Sequence, residues 1–74
     1  MQYTAEQVAA AIAEPRVGDA WESSGIKLVI AETKDTSIWY RVPPVRGSFR
    51  MEREGEWPIF TSSATLVHRA GEGE

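Results

Sequence analysis

The stretch from Ile26 to Val42 constrains this chain more than any other. It reads Ile-Lys-Leu-Val-Ile-Ala-Glu-Thr, then a polar Lys-Asp-Thr break, then Ser-Ile-Trp-Tyr-Arg-Val. Two runs rich in β-branched and aromatic residues, divided by a polar turn, are the pattern of a β-hairpin. In the first run Ile26, Leu28 and Ile30 share one face, and Lys27, Val29 and Ala31 the other. In the second run Ile38, Tyr40 and Val42 lie opposite Trp39 and Arg41. Placing both all-apolar rows on one face requires an odd number of connecting residues, as Lys34-Asp35-Thr36 supplies. A two-residue Lys34-Asp35 turn would instead align Leu28 and Ile30 with Trp39 and Arg41. The odd loop is the expectation.

The first strand of this hairpin carries apolar residues on both faces, so it calls for a cover. The chain offers one. Thr4-Ala5-Glu6-Gln7 is a capping-box pattern, and Ala9, Ala10, Ala11 and Ala13 favour helix. Tyr3 and Val8 have the spacing of a hydrophobic staple, and Val8 and Ile12 form a narrow apolar stripe. Pro15 pushes Glu14 out of helical geometry, which predicts a helix over Ala5–Ala13. So short a helix does not hold alone. It is expected to lie over the Val29 and Ala31 side of the hairpin.

The rest of the chain is read by its breaks. Gly18-Asp19 signals a turn, and Ser23-Ser24-Gly25 confines a first strand to Ala20–Glu22. Pro43-Pro44 ends the hairpin at an edge or corner. Phe49 and Met51 alternate with Arg50 and Glu52 in a half-exposed strand over Ser48–Arg53. Glu54-Gly55-Glu56 reads as a tight turn, Trp57-Pro58-Ile59-Phe60 as a proline-broken edge, and Thr61-Ser62-Ser63 as loop. Ala64–Arg69 predicts a last strand, and residues 70–74, without an apolar anchor, a frayed tail. One helix and four or five short strands, with turns every eight to twelve residues, define an α+β, mainly β, single domain. The expected architecture is a small antiparallel barrel or a strongly bent sheet over residues 16–69, with the helix laid across it.

From Arg16 to Arg69 the order of elements resembles the Src-homology-3-like small barrels. The matching features are the Val17-Gly18-Asp19-Ala20-Trp21 entry, the long central hairpin, a shorter following strand and a polar turn before the last strand. More loosely, the Gly-Asp-x-Trp entry resembles small bacteriophage proteins. That likeness implies an accessory or regulatory protein, or an assembly subunit, acting in the host cytoplasm. The chain lacks the acidic loop and paired aromatics of the proline-binding members, so no binding residue carries over.

The residue inventory argues against catalysis. His68 is the single histidine and there is no cysteine, which leaves no thiol nucleophile and one possible base for a serine triad. No metal-ligand spacing or phosphate loop occurs, and Glu52, Glu54 and Glu56 read as solvent-facing. Neither a cofactor nor a membrane partner is expected, because no apolar run approaches membrane-spanning length. The net charge of −3 disfavours general affinity for anionic polymers, yet Arg41, Arg46, Arg50 and Arg53 with one glutamate make a basic stretch. A chain of 74 residues can scarcely bury three indoles, and Trp57, at a proline edge, is expected to be the exposed one. The candidate contact surface is therefore Trp39, Arg41, Arg46, Arg50 and Trp57, with a protein partner as the first expectation because tryptophan and arginine dominate interface energetics. Single-stranded nucleic acid on the same arginines is the alternative. Self-association through the edge near Pro43 and Pro44 or along Ser48–Arg53 is the third.

Overall fold

A computed structural model describes residues 3–71, so the last three residues of the expected tail lie outside the described part. Helix α1 (Ala5–Ala13) begins at the capping box foreseen from the sequence: Thr4 accepts from the Gln7 amide, and the Gln7 side chain accepts from the Thr4 amide. Strands β1 (Ala20–Ser23), β2 (Ile26–Thr33), β3 (Ser37–Arg41) and β4 (Phe49–Glu52) follow as antiparallel neighbours. A second helix, α2 (Glu56–Ser63), precedes β5 (Thr65–His68), which returns to pair with β1. The sheet order is β4-β3-β2-β1-β5. Its ends do not join, so the bent-sheet alternative holds and the closed barrel does not.

Both helices lie on one face. Trp21, Leu28, Ile30, Ile38, Met51 and Leu66 form the sheet side of the core, and Ala11 of α1 and Trp57 of α2 close it. This corrects the expected position of α1. The helix covers the Leu28 and Ile30 side, because that row continues into the apolar rows of β1, β3, β4 and β5, whereas the Val29 row meets charged residues. Ala11 is the one fully buried side chain of α1 among the described residues.

Helix α2 corrects a second expectation, that of a proline-broken edge followed by loop. Pro58 is the third residue of the helix, where the missing amide has no intrahelical acceptor to satisfy. Residues before proline avoid helical geometry; here burial of Trp57 outweighs that preference. The hydroxyls of Thr61 and Ser62 are satisfied within the helix, donating to the carbonyls of Trp57 and Ile59.

Two turns set the register. Between β1 and β2, Ser24 and Gly25 both have positive φ, 53° and 79°, as a two-residue type I′ hairpin requires. Serine pays a steric penalty there that asparagine largely avoids. Ser24→Asn is expected to raise stability by about 0.5–1 kcal/mol, read as a higher urea midpoint at unchanged slope. Between β2 and β3, Thr33 pairs with Ile38, and the Lys34 amide donates to the Ser37 carbonyl across Asp35 and Thr36. That tight turn alone would put Leu28 and Ile30 beside Trp39 and Arg41. A β-bulge at Ala31, between the pairs Ile30–Tyr40 and Glu32–Trp39, restores the shared face. The apolar rows coincide as expected, by one extra strand residue rather than by an odd loop.

An open antiparallel sheet exposes two edges. Each carries one side-chain stopper. At β4 the Glu52 amide donates to Oε1 of Glu56, the first residue of α2, at 3.0 Å. Just past β5 the Arg69 amide donates to the Tyr3 hydroxyl at 2.8 Å. Tyr3→Phe leaves that amide without its acceptor and is expected to cost about 1 kcal/mol, with faster exchange of the Arg69 amide as the specific sign.

The Gly-Asp entry proves to be the chain's polar anchor. Asp19 and Arg69 are buried together, and Arg69 Nη1 donates to Asp19 Oδ2 at 2.7 Å and to the Glu14 carbonyl at 2.8 Å. The Asp19 carboxylate also accepts from the amides of Arg16 and Ala70. The Arg16 guanidinium then donates to the Ala70 carbonyl. Ala70, expected to begin a frayed tail, is held by both its amide and its carbonyl.

Candidate functional site

Neither helix covers the other face of the sheet, where Val29, Ala31 and Trp39 are partly exposed. Its middle is set by cross-strand neighbours: Trp39 of β3 lies between Arg50 of β4 and Glu32 of β2, and Arg41 lies beside Val29. The bulge at Ala31 and the approach of Gly18 to the Ile30 carbonyl bend the strands here. Val17, Val29, Ala31, Glu32, Trp39, Arg41 and Ser48 are among the residues that line the resulting open groove, of about 620 Å³. Its apolar members are Val29, Ala31 and the half-buried Trp39, with Glu32 beside the indole and Val17, 57% exposed, also in the lining. The indole that stays partly accessible is therefore Trp39. Trp57, expected to be the exposed one, is only 2% exposed, packs edge-on against Trp21 at 5.6 Å between centroids, and donates its Nε1 to the Ile12 carbonyl. It belongs to the core and not to any contact surface.

The basic stretch divides in the same way. The Arg53 guanidinium is committed to the Lys34 carbonyl through Nε and Nη2. Arg50 makes an exposed ion pair with Glu52 at 3.4 Å, the kind of pair that contributes little to stability. Arg41 and Arg46 make no ion pair among the described residues. Both border a second hollow, of about 370 Å³, formed with Pro43, Pro44, Val45 and Gly47 of the β3–β4 connection. Arg41 lines both hollows, which places the groove next to a basic end. Of the five residues expected to form a surface, the structure gathers Trp39, Arg41 and Arg50 on one face, sets Arg46 at its end, and removes Trp57.

Sequence reasoning missed one feature on the helix side. The helices do not reach the far end of the sheet, leaving a hollow of about 340 Å³ lined by Ile26, Leu28, Tyr40, Val42, Met51 and Phe60. Ile26 is 60% exposed, and the Phe49 ring stands 5.7 Å from that of Tyr40. The sequence signal was the length of the apolar row itself: Ile26 to Ile30 with Tyr40 and Val42 extends further than two short helices can cover. Ser23 and Ser24 form its polar rim, so this hollow has no charge with which to select an occupant.

His68 ends β5 and is not in the lining of any of the three hollows. Among the described residues no group of three or more histidine, cysteine, aspartate or glutamate side chains is placed to hold a metal ion, and no helix is long and apolar enough to cross a membrane. Comparison with protein families, with curated proteins and with solved structures finds no match to this chain.

Proposed function

We propose that the chain is a non-catalytic protein-binding module whose contact surface is the open sheet face around Trp39 and Arg41. The observation that carries the reading is the groove itself: Val29 and Ala31 beside the half-buried Trp39 on a face that neither helix covers, with Arg41 on that face and Arg46 at its end making no ion pair among the described residues. Aromatic and arginine side chains are the residue types from which most binding energy at interfaces comes. The likeness to small bacteriophage proteins adds the expectation of an accessory, regulatory or assembly role in a host cytoplasm.

The two other readings have less behind them. A nucleic-acid track needs positive charge along its length, and here Glu32 and Glu52 flank Trp39 and Arg50 on the same face. Self-association through the β4 edge is opposed by the Glu56 stopper. The test is to select peptides from a random displayed library against the folded domain and map them by amide chemical shifts. Shifts centred on Val29, Ala31, Trp39 and Arg41 are expected, and Trp39→Ala should weaken binding at least tenfold. Shifts confined to the helix side would move the site to the hollow at Ile26 and Phe60, against this reading.

A further inference from the structure

The contact face is polarised along its length, and this bears on what it holds. Resting on the reading above, we infer that the occupant is an acidic–apolar peptide segment of a partner protein. Its apolar side chain lies in the groove over Val29 and Ala31 against Trp39, and its carboxylates face Arg41 and Arg46.

Three observations carry this. First, Arg41 lines both hollows, so the apolar residues Val29 and Ala31 and the basic end lie on either side of one side chain. Second, the arginines at that end are the uncommitted ones. Arg53, Arg50, Arg69 and Arg16 are each spent on a carbonyl or carboxylate of this chain, whereas Arg41 and Arg46 make no such bond among the described residues. A guanidinium left exposed and unpaired beside an apolar groove is complementary to a carboxylate, which it can hold through two parallel hydrogen bonds. Third, the connection between them contains Pro43, Pro44 and Val45, with Val45 54% exposed. The basic end therefore has an apolar wall, which suits a side chain with both a hydrocarbon stem and a charge better than a free inorganic anion.

A polynucleotide fits less well. It would need charge on both sides of the stacking ring, and the ring's β2-side neighbour is Glu32. With the chain's net charge at −3, local complementarity has to come from a short segment, not from a long anionic polymer.

The test uses the same library selection, read now for composition. Enriched peptides should carry aspartate or glutamate beside an aliphatic or aromatic residue. Arg41→Glu with Arg46→Glu should lower their affinity about tenfold or more, and added salt should lower the affinity of the wild type but not that of the variant. Because neither side chain bonds to the fold, the double variant should melt as the wild type does, which separates lost binding from lost structure. Three results would overturn the inference, and they differ in what else they remove. Peptides without acidic residues that still map to Trp39 and survive the charge reversal leave the protein-binding reading intact but reject the acidic partner. Arginine-dependent binding of a fluorescein-labelled oligothymidylate, tighter than any peptide, replaces both with nucleic acid. Selected peptides that shift no amide on this face remove both readings together.

Discussion

Replacing Asp19 by alanine is expected to unfold the domain at ordinary temperature. The substitution strands the Arg69 guanidinium, itself only 2% exposed, without its counter-charge. Removing one partner of a buried ion pair costs about 3–5 kcal/mol. It also takes the acceptor from the Arg16 and Ala70 amides. A domain of this size has a margin of roughly 3–5 kcal/mol, so the loss is of the order of the whole. Circular dichroism should show a melting transition displaced below room temperature or absent. The companion variant Asp19→Asn/Arg69→Met removes both charges and keeps one acceptor, and it should regain part of the loss. A single Asp19→Ala that melts within a few degrees of wild type would mean that water reaches the pair and that the anchor is not buried in solution.

Trp57→Ala is the second large effect. The side chain is buried against Trp21 and Phe60, with centroid separations of 5.6 and 6.1 Å. Truncating so large a ring in a packed interior costs about 3–5 kcal/mol. Trp57→Phe separates packing from hydrogen bonding. It keeps much of the aromatic volume but leaves the Ile12 carbonyl without its donor, at a cost of about 1–2 kcal/mol. The loss should be local as well as global, with amide exchange in α1 accelerating more than in β2. Equal acceleration everywhere would show that α1 opens only with the entire fold. Either variant tests the core role of a residue whose sequence context suggested a surface.

The sequence disclosed whatever was local and periodic. The capping box at Thr4–Gln7, the stop at Pro15 and the alternation in the central hairpin each act within a few residues, and the elements they predict are present with nearly the expected bounds. Helix α2 was hidden because Pro58 and its preceding Trp57 carry a breaking signal whose force depends on position within a turn. The face on which α1 packs was hidden because both rows of β2 are apolar, and the choice is made by neighbours in β1, β4 and β5. The Asp19–Arg69 pair joins positions 50 apart, so Gly18-Asp19 could be seen as a turn but not as half of a buried contact. For the candidate site, Trp39 and the arginines were legible as types. Which arginine is free and which indole is accessible depends on hydrogen bonds that no local pattern encodes. The Ala31 bulge makes the same point for register: one residue decides whether Leu28 and Ile30 sit in the core or on the open face.

The two edge stoppers have a consequence for how the molecule fails. Tyr3 immediately precedes the cap of α1 and Glu56 is the first residue of α2, so each helix start also guards a strand. Fraying at a helix start therefore does more than loosen a helix: it unseals a row of backbone donors able to recruit another chain. The starts of the helices are thus tied to the surfaces most prone to polymerise, and conditions that melt α1 first should favour ribbon-like aggregates over isolated unfolded chains.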